Sequence, residues 1–140
     1  MTKIFADTSN LETIRELNKN PLIQGFTTNP TLMRKAGITD YQDFCQKVLE
    51  ITDKPVSFEV FADEFKEIAR QSRMISRWGK NVYVKIPIMN TKGEYSYDLI
   101  EDLLKKKIKL NVTAIMDDEQ AIRLPLAKDV SWIVSVFSGR

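Results

Sequence analysis

Histidine is absent from all 140 residues. Its absence removes serine–histidine and cysteine–histidine catalysis and most zinc sites, which leaves Lys, Asp, Glu and Tyr as candidate catalysts. Cysteine is nearly absent too. Cys45 stands alone, so no disulfide framework or thiolate cluster can form within the chain, and a reducing cytosol is the expected setting. The five glycines are scattered and build neither a phosphate-cradling loop nor a dinucleotide fingerprint. Excess charge is also missing. A net charge of +2 gives little grip on nucleic acid or an anionic membrane, and the longest basic run, Lys105-Lys106-Lys107, is expected at a helix end. No apolar run approaches membrane-spanning length, and residues 1–7 lack the hydrophobic segment of a signal peptide. The expectation is a cytoplasmic protein with no metal, cofactor, nucleic-acid or membrane partner.

What the sequence does hold is an alternation of strand and helix from end to end. Hydrophobic residues make up 43% and charged residues 29%, an ordinary globular balance that suits one domain over residues 1–140. Strands are predicted at 3–7, 23–28, 56–60, 82–87, 108–114 and 132–136. Ser9 opens a capping-box pattern before a helix carrying Leu11, Ile14 and Leu17. Asp40 caps a second helix whose stripe is Tyr41, Phe44, Cys45, Val48 and Leu49, which places Cys45 in the core rather than at a reactive site. Further helices are expected over 65–75, around 99–104 and from about Asp117. Strand starts recur at the length of a β/α unit, although the units do not resemble one another in sequence.

The strand at 82–87 carries the sharpest chemical signal. Val82, Val84 and Ile86 share one face, and Tyr83 and Lys85 share the other. An amine held among apolar walls loses hydration, which favours the neutral form that can attack a carbonyl. The bland alternative is a solvated lysine on an exposed strand, so the other strands must decide. Asp7, Asn29, Glu59, Lys85, Asn111 with Thr113, and Ser135 with Arg140 lie at or just after the ends of all six strands. An open doubly wound sheet gathers its site at one switch point, whereas a barrel points every strand end at one mouth. The expected fold is therefore α/β, of the TIM (β/α)8-barrel family, with about six β/α units and so an incomplete barrel.

Five segments carry a resemblance. Phe5-Ala6-Asp7-Thr8-Ser9-Asn10, Gly25-Phe26-Thr27-Thr28-Asn29-Pro30-Thr31-Leu32, Val84-Lys85-Ile86-Pro87, Asn111-Val112-Thr113-Ala114 and Phe137-Ser138-Gly139-Arg140 occur in the order found in transaldolases. The chain resembles the short subfamily that also contains the fructose-6-phosphate aldolases. The resemblance implies a Schiff-base enzyme moving a dihydroxyacetone unit between sugar phosphates. Lys85 matches the nucleophile, Asp7 the base for the C4 hydroxyl, and Glu59 an acid/base acting through a water held by Thr113. Glu59 shares its parity with Ser57, opposite Phe58 and Val60, which argues for an inward side chain. Thr28, Asn29 and Asn111 match substrate-binding positions, although both asparagines could equally be turn or strand-end caps. Ser135 and Arg140 match a phosphate-binding pair. Glu59 and Phe137 side with transaldolases, where the aldolases carry Gln and Tyr.

There are departures. The usual Ser-Pro-Phe-Val-Gly-Arg is here Ser135-Val136-Phe137-Ser138-Gly139-Arg140. Family members run past two hundred residues, so the chain is expected to be truncated after the sixth strand. The resemblance also implies homo-oligomers in the full-length family. The readings left open are a transaldolase of the pentose phosphate pathway, an aldolase-type cleavage, and a non-catalytic phosphosugar-binding fragment.

Overall fold

Six short strands and six helices, two of them between the second and third strands, fill residues 2–138, the part of the chain that the computed structural model describes. In chain order these are β1 (Ile4–Asp7), α1 (Leu11–Asn18), β2 (Ile23–Thr27), α2 (Pro30–Lys35), α3 (Tyr41–Ile51), β3 (Val56–Glu59), α4 (Phe65–Ile75), β4 (Val82–Pro87), α5 (Tyr97–Lys105), β5 (Leu110–Ile115), α6 (Asp118–Ile122) and β6 (Ile133–Val136). Short polar residues start several of the helices. Asn10, Asn29, Asp40 and Asp117 each accept a hydrogen bond from the backbone N–H three residues on, at 2.9, 2.9, 2.9 and 2.8 Å. Each satisfies a donor that the first helical turn leaves unpaired. The cap expected at Ser9 falls one residue later, on Asn10. Ser9 Oγ is instead buried without a protein partner.

All neighbouring strands pair in parallel, and the spatial order β1-β2-β3-β4-β5-β6 is the sequence order. The sheet curls into a half-barrel, an incomplete form of the TIM-barrel-like fold. Parallel strands need crossovers, and the intervening helices supply them on the convex side. There Val56, Phe58, Val84, Ile86, Leu110 and Val112 are completely buried. They form one core with Ile14, Val48, Ile68, Ile75, Ile100 and Leu103 of the helices. Each such side chain contributes about 1.5–3 kcal/mol when removed from water. Cys45 is buried in this core, as its place in the α3 stripe predicts. No pairing joins β1 to β6 among the described residues, so both strands are edges. Ile4 at one edge is 50% exposed, and Val136 at the other is 55% exposed.

One close approach on the concave side fixes a residue type. Phe5 lies in register with Gly25, and its ring occupies the space where a Cβ would stand. A Cβ there would also come within 2.7 Å of the Pro55 carbonyl oxygen, which belongs to the backbone and cannot swing aside. Gly25→Ala should therefore destabilise the fold by about 1–3 kcal/mol, read as a lowered midpoint in a thermal melt. An unchanged midpoint would mean that both the Phe5 ring and the Pro55 carbonyl can give way.

Candidate active site

The concave face gathers polar side chains because strand parity and register align them. Glu59 of β3 stands opposite Lys85 of β4, and Lys85 stands opposite Asn111 of β5. Asp7 of β1 is aligned with Thr27 of β2, and Thr27 with Ser57 of β3. Residues two apart along a strand share a face, so these two rows lie one above the other on the inner surface. A cavity of about 740 Å3 opens over them. Its lining includes Asp7, Thr27, Asn29, Glu59, Lys85, Asn111, Thr113, Ser135 and Phe137.

Lys85 and Glu59 form the centre. Nζ lies 3.4 Å from Oε2, and the two side chains are only 12% and 21% exposed. Burial pushes the Glu59 carboxyl above the ordinary carboxylate range, the charge of Lys85 opposes that rise, and the charge of Asp7 adds to it. A raised carboxyl keeps its proton to higher pH. For stability, its contribution is fully present below the unfolded value and is lost as pH rises through the folded one. The site therefore sets a lysine nitrogen and a carboxyl that can carry a proton within one contact.

Asp7 is held from two sides. Thr27 Oγ1 donates to Oδ1 at 2.9 Å, and Asn29 Nδ2 donates to Oδ2 at 3.4 Å. Asn29 therefore has two roles, since its Oδ1 also caps α2 through the Leu32 N–H. Asn111 is buried and bridges two serines. Its Nδ2 donates to Ser57 Oγ at 3.0 Å, and its Oδ1 accepts from Ser135 Oγ at 2.7 Å. Thr113 Oγ1 is buried with no protein partner, which is unusual for a hydroxyl at that depth. Next to it Ala114 has φ 61°, in the left-handed region. The β5–β6 register shifts between Val112 and Ile115. A bulge of this kind re-aims side chains and stores about 1–3 kcal/mol of strain in a non-glycine residue.

Most residues singled out from the sequence meet here, with two exceptions. Thr28 is completely buried and outside the cavity lining, with its hydroxyl on the Ser57 carbonyl at 3.2 Å. β2 ends at Thr27, and that threonine turns its hydroxyl to Asp7. Arg140 lies outside the described residues. Thr27 was missed because the Thr27–Thr28 pair gives no sign of which member faces inward. The register of Asp7 against β2 supplies that sign, and it belongs to the fold rather than to either segment.

A second cavity of about 750 Å3 lies outside the sheet, lined by Tyr97, Arg123 and Leu126 among others. Two of its lysines, Lys105 and Lys107, are engaged with Glu101 and Asp129 in exposed ion pairs, and it holds no buried amine. Among the described residues no cluster of three acidic or cysteine side chains could hold a metal ion. No helix there is long and apolar enough to cross a membrane.

Comparison with known proteins follows the same lines. The family model described as Transaldolase/Fructose-6-phosphate aldolase matches residues 4–140. A probable transaldolase of Herpetosiphon aurantiacus is 38% identical over 138 residues, covering 99% of this chain and 59% of that protein. One from Methanococcus maripaludis is 38% identical over 138 residues, covering 99% and 61%. Another, from Dehalococcoides mccartyi, is 37% identical over 139 residues, covering 99% and 62%. The chain thus spans about three fifths of the length of the curated relatives it matches.

Proposed function

Because this chain belongs to the transaldolase/fructose-6-phosphate aldolase family, we propose that its site moves a dihydroxyacetone unit between sugar phosphates through a Schiff base on Lys85. The exchange is sedoheptulose 7-phosphate plus glyceraldehyde 3-phosphate to erythrose 4-phosphate plus fructose 6-phosphate, a reaction of the pentose phosphate pathway, in the cytoplasm. The observation that carries the reading is the partly buried Lys85–Glu59 pair with Asp7 lining the same cavity.

The residues suffice without a metal or cofactor. Glu59 takes the proton of the Lys85 ammonium, and the free amine attacks the ketose C2 carbonyl. The protonated Glu59 then returns that proton, through a water on the Thr113 hydroxyl, as the carbinolamine loses water. Asp7 removes the C4 hydroxyl proton, the C3–C4 bond breaks, and the aldose leaves. The three-carbon enamine stays on Lys85 with its hydroxyls on Asn29 and Asn111 until a second aldose accepts it. Ser135 and Arg140 would hold the phosphate.

Product analysis tests the reading. Fructose 6-phosphate with erythrose 4-phosphate should yield sedoheptulose 7-phosphate, with little free dihydroxyacetone. Phe137 lines the cavity, and Phe137→Tyr should raise the share of free dihydroxyacetone, because a phenol can bring water or a proton to the enamine. A ratio that does not move would mean the Phe/Tyr difference carries no reaction choice here. The three-fifths span gives a second reading its footing, a phosphosugar-binding piece without turnover. Saturable sugar-phosphate binding with no transfer product would decide for it.

A further inference from the structure

The mechanism leaves the partly buried Tyr41 hydroxyl unused, and that hydroxyl is tied to the backbone of the catalytic pair. Tyr41 is the first residue of α3, whose start is pinned by the Asp40 cap. Its Oη donates to the Glu59 carbonyl oxygen at 2.7 Å. The N–H of the same peptide unit, that of Val60, donates to the Lys85 carbonyl oxygen at 3.1 Å. One peptide plane is therefore gripped at both ends. Its carbonyl belongs to the acid/base residue, and its N–H is bound to the backbone of the nucleophile.

The ring of Tyr41 has little freedom to let go. It meets Phe61 edge-on at 4.3 Å between centroids, and Trp78 at 5.8 Å. We propose that Tyr41 is a positioning residue, its phenol locking the Glu59–Val60 peptide so that the Glu59 carboxyl stays in contact with Lys85. The inference rests on the Schiff-base reading above. The charged and titratable groups about Glu59 are Lys85 of β4, Asp7 of β1 and Tyr41 of α3. Cys45 stands behind Tyr41, and Arg34 and Lys35 of α2 line the same cavity. Burial, with the Cys45 thiol beside it, pushes the Tyr41 hydroxyl upward and so keeps it a donor.

The test compares unmodified protein with Tyr41→Phe, which keeps the ring and removes the donor. A second comparison is Val48→Ala, which loosens α3 packing without touching the peptide. The probe is dihydroxyacetone, with the Lys85 imine trapped by borohydride and counted by peptide mass across pH. Loss of the clamp should slow imine formation roughly five- to tenfold. The limb of the pH profile governed by Glu59 should move to higher pH, because a carboxyl displaced from Lys85 loses the charge that opposes its rise. Val48→Ala should lower the melting midpoint and leave both readouts in place.

Unchanged rate and profile in Tyr41→Phe would overturn the proposal, and so would an equal change in Val48→Ala. Absence of any Lys85 adduct in the unmodified protein would instead bring down the Schiff-base reading, and this inference with it. Should Tyr41→Phe fail to fold, the Tyr41 hydroxyl proton of the unmodified protein decides. A slowly exchanging proton coupled to the Glu59 carbonyl carbon supports the clamp, and a hydroxyl in fast exchange with water refutes it.

Discussion

Lys85→Arg should abolish borohydride trapping of fructose 6-phosphate and reduce transfer to background. The substitution keeps a cation beside Glu59, so the loss would come from chemistry rather than charge. A guanidinium is not deprotonated in proteins and cannot supply a free amine. Other lysines compete poorly for the ketose. Lys85 is 12% exposed against a partly buried carboxyl, whereas Lys47 and Lys105 are 52% and 72% exposed and paired to surface acids. Peptide mapping after trapping gives a direct reading. An adduct on any lysine other than Lys85, or trapping that survives the substitution, would sink the assignment.

Asp7→Asn should split the reaction at a different point. In the proposed mechanism imine formation rests on Lys85 and Glu59 and should persist, while C3–C4 cleavage should slow by about 10²–10⁴, the usual worth of a general base. The amide keeps an acceptor for Thr27 but can set an NH2 against the Asn29 amide that now donates to Asp7. The mass of the trapped adduct distinguishes the steps. Unmodified protein should carry a three-carbon addition after turnover, and the variant the whole six-carbon phosphate. A three-carbon adduct appearing at the unmodified rate would show that another group removes the C4 proton.

The elements were legible because their signals are local. The Tyr41 to Leu49 stripe, the Asp40 cap and the alternation of Val82, Val84 and Ile86 against Lys85 each depend on near neighbours, and each stands in the fold as read. The inward parity of Glu59 and of Lys85 is local in the same way, since both strands alternate up to those residues, whereas the register that sets one opposite the other belongs to the fold. What escaped depends on distant partners. Asn10 rather than Ser9 caps α1, and two adjacent polar residues do not announce which will turn to the helix. The reversal at Ala114 has no glycine to mark it. Tyr41 read as core because its ring is core, and only the arrival of the Glu59 carbonyl, 18 positions away, gives its hydroxyl a task.

The order of the strands has a consequence for how the molecule comes together. Each strand pairs only with those adjacent in sequence, and nothing joins the first to the last among the described residues. Such a sheet behaves like a short linear array, in which order can spread from any nucleated pair to the next and no single long loop must close before the rest is rewarded. Disorder can travel the same way. β1 and β6 are each held on one side only and fray at least expense, while β3 and β4 are flanked on both sides and open last. Glu59 and Lys85 sit on that inner pair. Asp7 sits on an outer one, so the carboxyl proposed to accept the proton stands on ground that loosens before the proposed nucleophile does.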